Sequence, residues 1–167
     1  MSHSTPLNIP DDAGIKLLTS QHKFVSAGSA MTITDNIVNQ QKEKYGWNLC
    51  VTNIVATADS GAVYGEFEVL SGDYTGDVFV FLGAVVQKDN LELNKEYTDR
   101  DSDNDKIYFM NLYNGSLIGN GKNASDEQGV KCFKVGDKVG VKVKAGKDGF
   151  VSFYKNGEVF GGTFNGP

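Results

Sequence analysis

The stretch from Val135 to Phe164 is the part of this chain that most constrains its fold. Val139, Val141 and Val143 alternate with Gly140, Lys142 and Lys144, the period-2 pattern of a strand with one buried face. Asp148-Gly149 and Asn156-Gly157 follow, each flanked by β-forming residues such as Phe150-Val151-Ser152-Phe153-Tyr154. Both pairs are hairpin signals, because Asn, Asp and Gly tolerate the positive φ that tight two-residue turns demand. A chain ending this way is expected to be a meander of antiparallel strands.

The rest of the chain agrees with a largely β protein. Its 167 residues suffice for one domain with a sizeable core. Glycine is abundant at 20 residues, which suits many tight turns. Proline is rare at 3, all near the two ends, so the ladders keep their donors. Met31-Thr32-Ile33-Thr34, Asn48 to Ala56, Gly61 to Leu70, Val78 to Val86 and Ile107 to Leu112 read as strands. In Gly61–Leu70, Tyr64, Glu66 and Glu68 fall on one face, with Val63, Phe67 and Val69 on the other. Gly65 interrupts that strand and marks a bulge or a close approach. Ile15–Leu18 and Lys23–Val25 read as short strands or packing segments, and Asn39–Lys44 as a loop or one turn of helix. Val78–Val86 is the longest apolar run; its nine residues are a buried central strand, too short to span a bilayer. Residues 97–106 and 114–129 read as long polar loops. The expected organisation is a flexible arm over residues 1–12 and a single β domain over residues 13–167, an antiparallel two-sheet sandwich or a barrel.

Charge and cysteine content narrow the function. The net charge is −5 and Arg100 is the only arginine, so nothing resembles the clustered basic face that nucleic acid requires. Cys50 and Cys132 sit in apolar surroundings and read as buried free thiols, with a single bridge open only in an exported protein. The first residues lack the basic start and apolar core of a signal peptide, so a soluble, cytoplasmic protein is expected.

Catalytic chemistry finds little to work with. His3 and His22 are the only histidines. No nucleophile elbow, zinc-ligand spacing or phosphate-loop ending is present. No enzymatic activity is expected. The sharpest local oddity is the acidic run containing Asp99, Asp101, Asp103 and Asp105. Carboxylates at every second position resemble the start of a calcium loop, since a hard cation wants several oxygens from a short turn. Asn104 and Met110 stand where an EF-hand has its glycine and its bidentate glutamate, which excludes an EF-hand. The expectation is no cofactor, with a calcium loop of another type or a solvated loop tip at this run.

Four motifs in order resemble the SPRY domain family. Phe133-Lys134-Val135-Gly136-Asp137-Lys138-Val139-Gly140-Val141 is similar to its Gly-Asp strand. Val151-Ser152-Phe153-Tyr154-Lys155-Asn156-Gly157 and Phe160-Gly161-Gly162-Thr163-Phe164 are similar to the two segments that follow it. Upstream, Tyr64-Gly65-Glu66-Phe67-Glu68-Val69 is similar to an aromatic-rich strand, and Tyr113-Asn114-Gly115 with Gly119-Asn120-Gly121 to a glycine-rich loop. Together they cover about residues 61–165. Gly65 replaces a bulky aromatic of the family pattern, and Trp47 is expected to fill that core position. The chain stops at Pro167, where the family usually continues into one more strand, and residues 1–60 do not match the pattern clearly.

The resemblance implies a concanavalin-like, jelly-roll type β-sandwich that binds short peptide segments of partner proteins and carries no catalytic residues. Its structural relatives include carbohydrate-binding sandwiches, so a small lectin, calcium-dependent or not, is the alternative. The site is expected where loops gather at one end, drawing on Tyr74, Tyr97, Arg100, Tyr113 and Asn114. Aromatic anchors suit either ligand. An exposed sheet edge would add main-chain hydrogen bonds to a peptide. The partner is therefore a protein segment or a glycan, with no nucleic acid and no membrane insertion; the residues do not set an oligomeric state.

Overall fold

The computed structural model describes residues 14–40, 50–71, 81–85, 107–112, 114–119, 122–123 and 133–166. Every regular element among them is a strand, and every pairing is antiparallel. In chain order these are β1 (Gly14–Leu17), β2 (Phe24–Ala27), β3 (Met31–Thr34), β4 (Ile37–Gln40), β5 (Cys50–Thr52), β6 (Val63–Ser71) and β7 (Phe81–Val85). Then come β8 (Ile107–Asn111), β9 (Leu117–Gly119), β10 (Lys122–Asn123), β11 (Lys138–Lys144), β12 (Phe150–Lys155) and β13 (Glu158–Asn165). A seven-stranded sheet runs β13-β12-β11-β6-β1-β4-β3, a four-stranded sheet runs β10-β9-β8-β7, and β2 pairs with β5. The C-terminal meander is thus β11 to β13, joined through β11 to β6.

The alternation read from the sequence becomes a two-faced sheet. Opposed residues of an antiparallel pair share a face, so Val63, Val143, Val151 and Phe164 form one inward layer across β6, β11, β12 and β13. Val141, Phe153 and Phe160 form the next. Ile15, Val69 and Val38 extend the apolar face over β1 and β4. Tyr108, Met110 and Leu117 of the four-stranded sheet belong to the same buried cluster as these residues. The Tyr108 and Phe164 rings lie 5.6 Å apart.

Several boundaries differ from the sequence reading, for identifiable reasons. Asn39 and Gln40 end β4 instead of belonging to a loop or helical turn, because Asp35 at φ 53° turns the chain back from Thr34 to pair with Ile37. The strand expected over 48–56 is β5 alone among its described residues. Part of the stretch 114–129 forms β9 and β10, because Leu117-Ile118-Gly119 pairs with β8 and buries Leu117 in the core. β7, read as central, is at one end of the described four-stranded sheet. Gly65 causes no register shift against β11. It is a close approach, with Ile54 Cδ1 2.7 Å from where its Cβ would stand, so Ile54 occupies the space assigned to Trp47. Trp47 itself, residues 1–12 and Cys132 lie outside the described residues.

The two hairpin signals also part company. Asn156 (φ 51°) and Gly157 (φ 86°) make the expected two-residue turn between Lys155 and Glu158. Asp148-Gly149 instead closes a longer loop, in which the Gly149 amide donates to the Gly146 carbonyl at 2.8 Å and the positive φ falls on Gly146.

Asp137 ties this meander to β6. Its carboxylate accepts from the Lys134 amide at 2.8 Å and from Asn156 Nδ2 at 2.9 Å, and Lys155 Nζ lies 3.2 Å away. The Val69 amide donates to the Asp137 carbonyl at 3.0 Å, and the Gly136 amide to the Val69 carbonyl at 2.7 Å. Asn156 completes the junction by accepting from the Lys138 amide through Oδ1 at 2.8 Å. Burial works against the Asp137 charge, but the bonds from Asn156, Lys134 and Lys155 and the Lys155 charge outweigh it. The carboxyl is held below its ordinary range.

Asp137→Ala should therefore lower the unfolding free energy by about 2 kcal/mol at pH 7, the scale of hydrogen bonds to a charged group, as read by urea denaturation. A depressed folded-state pKa contributes stability that is fully present above the unfolded value of about 4. It is lost as the pH falls through the lower folded value, so the two proteins' stabilities should converge in acid. A gap that persists there would assign the loss to packing instead of charge.

Candidate functional site

The residues expected to form a loop-end site fall mostly outside the described residues. Tyr74, Tyr97, Arg100 and Tyr113 do so, as do the proposed metal ligands Asp99, Asp101, Asp103 and Asp105. Asn114 is described and half-buried. Its side-chain oxygen accepts the Ser116 amide at 2.9 Å, and the Asn111 amide donates to the Ser116 carbonyl at 2.9 Å. Asn114 thereby shapes the turn from β8 to β9. Among the described residues no group of three or more His, Cys, Asp or Glu side chains is placed to hold a metal ion. Cys50 is a free thiol. Burial pushes it up to about 11 against a bond from the Val51 backbone, so it stays protonated and a poor nucleophile at neutral pH.

A different group of side chains stands out, on the outward face of the seven-stranded sheet. Register places Glu66 (β6), Gly140 (β11), Tyr154 (β12) and Val159 (β13) in one row across four strands. The adjacent row is Tyr64, Lys142, Ser152 and Thr163, its last two hydroxyls 2.9 Å apart. Gly140 has no side chain, and Tyr64 leans diagonally into the vacancy. A Cβ at 140 would meet Tyr64 Cε2 and Cζ at 2.7 Å. The Tyr64 ring sits edge-on to Tyr154, with centroids 5.7 Å apart and planes at 84°, a favoured aromatic geometry.

The result is an aromatic ledge with a polar margin. Tyr64 remains 38% exposed on β6 and Val159 65% exposed on β13, with Tyr154 between them on β12. Tyr64 Oη lies 3.1 Å from Glu66 Oε1 and donates to it. Burial, followed by the charge and hydrogen bond of Glu66, pushes the Tyr64 phenol up to about 12. The phenol is therefore neutral throughout the physiological range, and Glu66 carries the negative charge of the pair. Farther along the same face Lys138 and Lys16 flank Glu68 across the strands.

The sequence separates Tyr64, Glu66 and Glu68 from the core by period 2, and the outward Lys142 and Tyr154 follow from the same rule. That Gly140 stands opposite Glu66 depends on long-range register, so the ledge itself was missed. The missing signal was the lone glycine at an outward position of β11.

No protein-family model matches the chain, and no curated protein sequence matches it at a significant level. Among the described residues no helix is long and apolar enough to cross a membrane.

Gly140→Ala should push the Tyr64 ring away from β11 and from Glu66. Ultraviolet titration of the tyrosines should then show the phenol near pH 12 returning toward the ordinary value of about 10, with the β spectrum retained. An unchanged titration would mean that the ring does not depend on the space above Gly140.

Proposed function

We propose that this chain is a non-enzymatic binding module of SPRY-like, concanavalin-type β-sandwich fold that recognises a short, extended peptide segment of a partner protein. The sandwich reading is supported by the single apolar cluster drawn from both larger sheets and by the 5.6 Å approach of Tyr108 to Phe164 between them. The family reading is supported by two motif elements with physical roles, the Gly136-Asp137 corner and the Asn156-Gly157 hairpin.

The observation that carries the binding role is the ledge of exposed Tyr64, half-buried Tyr154 and exposed Val159, which reaches from β6 to the sheet edge at β13. Contiguous apolar surface rimmed by polar groups suits an interaction site, and tyrosines are efficient anchors because they bury much area for little lost freedom. Among the described residues β13 has no neighbour on its far side. An extended peptide added there would gain main-chain bonds while its side chains reached Val159 and Tyr154. Loop residues Tyr74, Tyr97, Arg100, Tyr113 and Asn114 would extend the contact. A sugar ring could use the same tyrosine ledge, with Glu66 and Lys142 for its hydroxyls, and this is the alternative reading.

The two are separated by screening the folded protein against a random peptide library and a glycan array, each with calcium and with a chelator. Peptides should be enriched and the array should stay blank. Tyr154→Ala should weaken the selected peptides at least tenfold while keeping the β spectrum and lowering the melting temperature by only a few degrees, the scale of one lost aromatic pair. Glycan binding with no enriched peptide would overturn the proposal in favour of a lectin, and its loss in chelator would give the Asp99–Asp105 run a role.

A further inference from the structure

We infer that the ledge is built for a guanidinium: the anchor of the bound peptide is an arginine side chain, stacked against the tyrosines and paired with Glu66. This rests on the peptide-binding reading and goes beyond it in naming the anchor.

The reason lies in how the charges on this face are distributed. Glu68 has Lys138 on one neighbouring strand and Lys16 on the other, at the spacing where opposite charges attract. Glu66, two residues away on the same face, has these two lysines only as diagonal neighbours, one row off. Its cross-strand neighbour on β11 is Gly140, and among the described residues the only partner of its carboxylate is the Tyr64 hydroxyl. Lys142 is level with Tyr64, one row off. Among the described residues Glu66 therefore has no ion-pair partner; its carboxylate is bonded to Tyr64, whose ring is 38% exposed and edge-on to Tyr154.

A cation that approaches this corner meets two attractions at once. The ring faces draw it electrostatically, and the carboxylate forms a charge-assisted hydrogen bond. Glu66 Oε1 already accepts from Tyr64, which leaves Oε2 and the remaining lone pairs. A guanidinium suits this better than an ammonium. It is planar, so it stacks on a ring while its edge donors reach the carboxylate, and it is more weakly hydrated, so leaving water costs less. Val159, 65% exposed beside Tyr154, offers apolar contact to the arginine stem or to a neighbouring residue. The net charge of −5 favours the approach of a basic segment over an acidic one.

The test uses the full chain and a random peptide library. Enriched peptides should share an arginine. Synthetic versions carrying citrulline, an uncharged isostere, should bind at least tenfold more weakly in calorimetric titration. Glu66→Gln should reduce arginine-peptide binding about tenfold while leaving the melting temperature unchanged, and should abolish the preference over citrulline. Two results would overturn the inference while sparing peptide recognition. One is enrichment of peptides without a basic residue that still depend on Tyr154. The other is arginine peptides whose binding ignores Glu66→Gln. No enriched peptide at all would overturn both readings.

Discussion

The Asp137 carboxylate is the junction on which the larger sheet depends. It receives the Lys134 amide, the Asn156 side chain and the Lys155 ammonium. The Asp137 carbonyl accepts from β6 through the Val69 amide. A carboxylate with several donors fixes orientation as well as energy, because its lone pairs are satisfied in only a few arrangements. At this point the chain enters β11, meets the β12–β13 hairpin and aligns with β6. A one-residue slip in any of these pairings would turn every inward side chain outward.

That register determines what both faces of the sheet present. Inward, it stacks Val139, Val141, Val151 and Phe153 against residues of the four-stranded sheet in one buried cluster. Outward, it sets Gly140 between Glu66 and Tyr154. The ledge is thus a by-product of the alignment that makes the core. An outward surface built on strands in this way is held more firmly than one built on loops, since its positions follow the ladder.

The parts of this architecture that were legible in the sequence are those governed by local rules. Alternating Val139, Val141 and Val143 disclosed β11 and its buried face, and Asn156-Gly157 disclosed a two-residue turn. Tyr64 and Glu66 could be assigned to one side of β6 by counting alone. Asp148-Gly149 misled because a favourable turn pair does not set the loop length, and here Gly146 takes the positive φ. Ile37 to Gln40 escaped notice because β4 is short and half polar, so its strand character comes from pairing with β1 and β3. The ledge was invisible for a related reason: no local pattern states that residue 140 lies opposite residue 66. Composition suggests exposure only for the aromatic residues in polar, glycine-rich segments, such as Tyr74 and Tyr113.

The fit of Tyr64 over Gly140 has a consequence for how such a chain can diverge. The two positions are far apart in sequence yet occupy one volume, since the ring stands where a side chain at 140 would have to be. Residue 140 cannot be enlarged while the ring at 64 keeps its place. An enlarged residue at 140 is tolerated only with a smaller or reoriented partner at 64, and a small residue at 64 releases the demand for glycine. Among descendants of this sequence the order of change should therefore be one-way: position 64 gives way first, and only then is position 140 free to grow.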